Sequence, residues 1–200
     1  AREVNGAVEI RHTRGIPTPA SLMVAAPAAA EAVALARRTP GLRVGLHIVL
    51  VEGRPILPPS QIPDLVDADG MFRTGMAASG ARMFFLPGVR RQLEREIQAQ
   101  FEAFCVTGLH LDHVNAHKHF HLHPTIASAI LRIGRKFGMA VLRVPREPRH
   151  VLAMIEPQTP DVAAAIATPW CALLARRLKA DGVATPDQVF GLRWSGSMTK

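Results

Sequence analysis

The chain is 200 residues long, about one domain, and 48% apolar, enough to bury a substantial core. Charged residues make up 20%, which excludes a disordered composition, and the formal charge of +8 rests on 24 basic against 16 acidic residues. The basic residues fall as scattered pairs such as Arg37-Arg38, Arg90-Arg91 and Arg176-Arg177, without a long run or aromatic interleaving, so they read as solvated helix faces rather than a nucleic-acid surface.

In chain order, residues 1–15 carry a helical pattern with Val4, Ala7, Val8 and Arg11 on one face, stopped by Gly15. ASLMVA (20–25) reads as a strand, and Pro27 then opens a helix to Thr39, closed by Pro40-Gly41. The segment 21–36 is apolar, but it is short for a membrane span and carries Pro27 and Glu31. LRVGLHIVLV (42–51) is β-branched and nearly continuous in apolar character, as buried parallel strands are. Residues 52–87 form a long connection rich in Pro, Gly and Asp, with DADG as a turn signal. Its Met71, Phe72, Met76, Met83, Phe84 and Phe85 suit a satellite core, or an apolar surface for a lipid-linked substrate.

Residues 86–107 give the clearest helix, with Leu93, Ile97, Phe101 and Phe104 on one face and Gly108 at its end. The next segment, HLDHVNAHKHFHLHP (110–124), holds six of the nine histidines and reads as a strand. A helix follows from Pro124 to Gly138, then a strand AVLRVP (140–145), a helix near 159–180 interrupted by Pro169, and the start of a strand at 188–192. About five strands alternating with helices define an α/β fold with a parallel sheet, either open and doubly wound or an incomplete (β/α) barrel. Neither GxGxxG nor GxxxxGK[ST] occurs, which argues against dinucleotide and P-loop chemistry. Cys105 and Cys171 lack a CxxC partner and read as small core residues in a reducing cytoplasm.

Alternation along a strand would put His113, Asn115, His117, His119 and His121 on one face, and Val114, Ala116, Phe120 and Leu122 on the packing face opposite. His110 falls on that opposite face too, and His123 at the turn into the next helix. Converging neutral imidazoles suit a divalent metal. One strand supplies one or two ligands, because same-face neighbours lie about 7 Å apart. A further ligand is expected from His47, near the carboxyl end of the preceding strand, with Gly45 leaving space beside it. The residues alone do not choose among His117, His119 and His121. Arg143 and Arg146, at the end of the 140–145 strand, are candidate substrate contacts or partners of Glu147.

GLHIVLVEGRPIL followed by LDHVNAHKHFHLHP resembles the YdjC-like carbohydrate deacetylase family. With LMVAAPAA and LVDADG, the likeness is closest to its hopanoid-biosynthesis-associated branch (HpnK), and it runs from Glu3 to about Thr199. The resemblance implies an irregular (β/α) barrel and one divalent metal, Mg2+ or Zn2+. The implied reaction is hydrolysis of an N-acetyl group from an amino sugar, with an acetylglucosaminyl hopanoid as the branch's substrate and a chito-oligosaccharide as the alternative. It implies His47 and His117 as metal ligands, Asn115 where the wider family often has Asp, and His119 and His121 close by. It also implies an Asp-Asp-Phe-Gly motif before the first helix and a later His-Pro segment; neither is present, so 1–200 is expected to be a single domain lacking its first strand and C-terminal part, with no catalytic residue of its own. A metal-dependent phosphoesterase and an inactive metal-binding remnant are the rival readings. The expected partners are an amino-sugar or glycolipid substrate and no nucleic acid, with at most peripheral membrane contact and a homodimer left open.

Overall fold

A computed structural model of the chain describes residues 2–15, 19–148, 151, 154 and 162–189. The chain divides into two compact units, Ala1–Ala140 and Val141–Lys200. The first is built on three parallel strands in the order β1 (Ala20–Leu22), β2 (Val44–Ile48) and β3 (Leu111–Ala116). Helix α1 (Arg2–Arg14) precedes β1, α2 (Ala29–Arg38) joins β1 to β2, α3 (Met76–Phe85) and α4 (Pro87–Val106) lie between β2 and β3, and α5 (Pro124–Gly134) follows β3. Parallel neighbours need such crossovers, and the fold is α/β as the alternation in the sequence implies.

The core forms where α4 and α5 pack on each other and α4 meets β2. Leu46, Ile48, Leu93, Ile97, Phe101, Val114, Ile126 and Ile130 are fully buried there. Proline at the first position of α4 and of α5 pre-sets the helical φ and leaves no N–H unsatisfied. Gly108 (φ 70°) and Gly138 (φ 72°) accept the left-handed geometry that follows each helical run. The inner face of α1 differs from the sequence pattern. Val4 is exposed, and the inward residues are Asn5, Val8 and His12. The reason is polar docking: Asn5 Nδ2 donates to the Ala28 carbonyl (3.4 Å) and His12 Nε2 lies 3.1 Å from the Pro40 carbonyl.

The backbone after β2 leaves the sheet and finds its hydrogen bonds on α4. Gln100 brackets Val49, its Oε1 accepting from the amide (3.0 Å) and its Nε2 donating to the carbonyl (2.7 Å). Glu96 accepts from the amides of Ile56 (2.9 Å) and Leu57 (3.0 Å) and from Gln100 Nε2 (2.9 Å). Both side chains are buried, and burial raises the Glu96 carboxyl above its ordinary value, against the lowering pull of these hydrogen bonds. Two buried polar residues four apart thus act as a strand edge for a segment without one.

The 52–87 connection is more ordered than its composition suggests. In the DADG turn Asp67 Oδ1 accepts from the amides of Asp69 and Met71, and Val66 bridges Phe72. Phe72 and Met83 are buried with Ile62, Leu65 and Val66 as a satellite core, whereas Phe84 and Phe85 on the last turn of α3 stay exposed. Cys171 is buried as expected, but Cys105 is exposed, because it lies off the Leu93–Phe104 stripe of α4.

In the second unit, AVLRVP does not form a strand among the described residues. It makes an isolated parallel bridge between Val141 and Ala184, with the Val144 amide donating to Thr185 Oγ1 (3.2 Å). Helix α6 (Val162–Ala180) runs through Pro169 and buries Cys171, Leu174 and Leu178. The start of the proposed 188–192 strand is described as irregular, and residues 190–192 lie outside the described residues. Among the described residues, no helix is long and apolar enough to cross a membrane.

Replacing Glu96 by Ala leaves two backbone amides without their acceptor and should lower stability by about 2–4 kcal/mol. Urea unfolding checks this, with the exposed Glu102→Ala expected to change stability by less than about 0.5 kcal/mol.

Candidate functional site

The site gathers at the carboxyl ends of β2 and β3, the usual place in a parallel α/β sheet. His47 pairs in register with Asn115, and Ile48 with Ala116. One strand earlier, Ser21 lies level with Gly45. The pairing of β2 with β3 is irregular between Val44 and Leu46: Val44 aligns with Leu111 but Leu46 with Val114, so Asp112 and His113 together oppose Gly45. Such a bulge re-aims side chains. Here it turns the His113 ring across β2.

Glycine at position 45 is required by that crossing. A Cβ there would lie 2.6 Å from both Nδ1 and Cε1 of His113 and closer still to its carbonyl oxygen. The room Gly45 leaves is therefore taken by His113, rather than standing beside His47 as the sequence suggests.

From this packing a line of polar contacts crosses all three strands. Arg43 Nε lies 3.7 Å from Asp112 Oδ1, and Asp112 Oδ2 is 2.9 Å from His113 Nδ1. His113 Nε2 is 2.9 Å from Ser21 Oγ, which accepts from Asn115 Nδ2 at 3.0 Å. Asn115 Oδ1 is 2.7 Å from His47 Nδ1. The line ends at His117, whose Nδ1 lies 3.5 Å from His47 Nε2, with the two rings edge to face (centroids 5.7 Å, 75°). Burial pushes the His117 imidazole below its ordinary pKa, helped by the neighbouring Lys118 charge and opposed by Glu52. That direction favours the neutral form, which has a lone pair to donate.

The expected alternation of histidines stops at Ala116. Residues His117–Leu122 form a 3-10 turn in which Lys118 (φ 50°, ψ 26°) and His119 (φ 54°, ψ 26°) are left-handed. Side chains beyond Ala116 therefore do not share one face. Positive φ at non-glycine residues is costly and persists only where the surroundings impose it. One imposing contact is visible: Lys118 Nζ meets Glu52 Oε2 at 2.5 Å, and Glu52 is itself left-handed (φ 49°).

Of the expected site residues, the fold brings together His47, Asn115 and His117. His119 and His121 follow on the turn and pack edge to face on each other at 6.2 Å; His119 is half-buried and His121 fully buried. His123 sits against Phe84 and Phe120, and burial lowers its pKa. His110 is exposed and lies before β3. Arg143 and Arg146 belong to the second unit, Arg143 half-buried and Arg146 exposed, on irregular backbone rather than at a strand end. Ser21, Asp112 and the Glu52–Lys118 pair were missed by sequence reasoning. For Ser21 the available signal was a serine in an otherwise apolar strand. Among the described residues, no three His, Cys, Asp or Glu side chains gather as a metal-binding set.

The described site thus lies at the carboxyl ends of parallel strands in an α/β fold, with paired imidazoles and an amide. The chain belongs to the YdjC-like protein family, whose model matches residues 1–200. It is 34% identical over 141 residues to a carbohydrate deacetylase of Brevibacillus brevis, covering 70% of this chain and 54% of the relative. Over 162 residues it is 34% identical to a carbohydrate deacetylase of Geobacillus stearothermophilus, covering 80% of this chain and 62% of the relative. The chain thus spans less than two thirds of the length of these relatives. A solved Enterococcus faecalis V583 structure, named for cellobiose-phosphate cleavage, shares the fold with a TM-score of 0.67 at 24% identity, over 94% of this chain and 62% of that one.

Gly45→Ala should cost about 1–3 kcal/mol through overpacking against His113. Thermal unfolding checks the size. A variant as stable as the parent would show that His113 does not lie as close to Gly45 as described.

Proposed function

We propose that the protein is a metal-dependent carbohydrate N-deacetylase, hydrolysing the acetamide of an amino sugar. One observation carries this reading, in a family with relatives named carbohydrate deacetylases: His47 Nε2 and His117 Nδ1 face each other 3.5 Å apart at the ends of adjacent parallel strands. Two nitrogen ligands bound at about 2.0–2.1 Å on a tetrahedral ion stand about 3.4 Å apart. The pair therefore fits two positions on one tetrahedral cation such as Zn2+, and Mg2+ is kept as the alternative the resemblance implies. Such a cation, when bound, polarises the acetyl carbonyl and lowers the pKa of water.

The chain's own residues divide the remaining tasks. Asn115 holds His47 by its Nδ1 side. The Glu52–Lys118 ion pair holds the turn that begins at His117. We assign substrate contact to His119, half-buried on the same turn, with the buried His121 ring packed edge to face against it. The resemblance also implies a carboxylate base and a third ligand, set on an irregular (β/α) barrel. An acetylglucosaminyl hopanoid is the proposed substrate, and the exposed Phe84 and Phe85 suit an apolar aglycone.

Zinc titration by calorimetry tests the site. His47→Ala and His117→Ala should each weaken binding by at least the roughly 10–100-fold seen on losing an outer partner. Unchanged affinity in both overturns the pair as ligands. Acetate release from acetylglucosaminyl hopanoid and from chitobiose tests the substrate, and turnover of chitobiose alone overturns the hopanoid assignment.

A further inference from the structure

We propose that Asp112, acting through His113, Ser21 and Asn115, determines which ring nitrogen of His47 carries the proton. An ionised carboxylate can only accept hydrogen bonds. Asp112 Oδ2 lies 2.9 Å from His113 Nδ1, so that nitrogen bears the hydrogen. In a neutral ring the other nitrogen is then an acceptor. Ser21 Oγ, 2.9 Å from His113 Nε2, gives its single proton there. Having donated, the hydroxyl can only accept from its other neighbour, and Asn115 Nδ2 at 3.0 Å is that donor. The amide is thereby turned with Oδ1 toward β2. Because Oδ1 lies 2.7 Å from His47 Nδ1, that nitrogen bears the hydrogen and Nε2 keeps its lone pair, directed at His117.

The sense of every bond thus follows from one acceptor-only group four contacts away. His113 and Asn115 are buried, 4% and 8% exposed, so bulk water does not offer the amide an alternative partner. Arg43 flanks the far oxygen of Asp112. Asp112, His113, Ser21 and Asn115 are positioning residues, none of which needs to touch substrate. Their value for a cation rests on the reading of His47 and His117 as ligands, whereas the tautomer itself does not.

The test is 15N-resolved histidine NMR on the metal-free chain, at a pH where the imidazoles are neutral. In the parent, His47 and His113 should both show the Nδ1–H tautomer, the less populated one for an unrestrained imidazole. Ser21→Ala cuts the line, so His47 should move toward Nε2–H while His113, still on Asp112, does not. Zinc affinity should fall about 10–100-fold in that variant and return in Ser21→Thr, which keeps the hydroxyl. An Nε2–H tautomer at His47 in the parent overturns the proposal without recourse to any variant, and so does an unchanged His47 signal in Ser21→Ala. Correct tautomers in a parent whose zinc affinity is left unchanged by His47→Ala and by His117→Ala uphold the relay and overturn the metal reading.

Discussion

The missing side chain at position 45 is the constraint from which the site follows. Only a residue without a Cβ lets the His113 ring lie across β2, and only the extra residue in β3 at that level turns the ring there. With the ring in place, Ser21 on β1 links His113 to Asn115 on β3, and His47 receives that amide as its partner from the strand beside it. Close packing of backbone against ring is thereby converted into the orientation of a second ring on a different strand.

A second support comes from the outside of the sheet. Glu96 and Gln100 on α4 bind the backbone from Val49 to Leu57, which carries Glu52. Glu52 in turn holds Lys118, the residue after His117. The two imidazoles that face each other are thus fixed by independent means, one through an amide within the sheet and one through a helix acting on a loop. The left-handed residues Glu52, Lys118 and His119 all fall along this second path, where backbone strain is opposed by buried hydrogen bonds and an ion pair.

The periodic elements were legible in the sequence: the apolar stripe of α4, the Pro-started α5 and the continuous apolar strand β2 all formed, within a few residues at their ends. So was the pairing of His47 with the histidine-rich segment. What could not be read was the break at Ala116, since nothing in the residue types Lys118 and His119 announces positive φ. The six histidines consequently do not form one chemical face. They include an exposed His110, the buried link His113, the facing partner His117, the edge-packed pair His119 and His121, and His123 among phenylalanines. Composition marked the place but not the division of labour, because that division is set by a bulge and a turn rather than by spacing.

Asn115 gives the polar line a property that a near-isosteric residue would lack. An amide has one donating and one accepting end, so its orientation carries information from one neighbour to the other. A carboxylate is symmetric and accepts on both sides. In a chain with Asp at this place, His47 would find an acceptor whatever Ser21 and His113 did, and substitutions at positions 21, 112 and 113 could accumulate without reaching it. With Asn, the four positions depend on one another: the amide serves His47 only while its neighbours keep telling it which way to face.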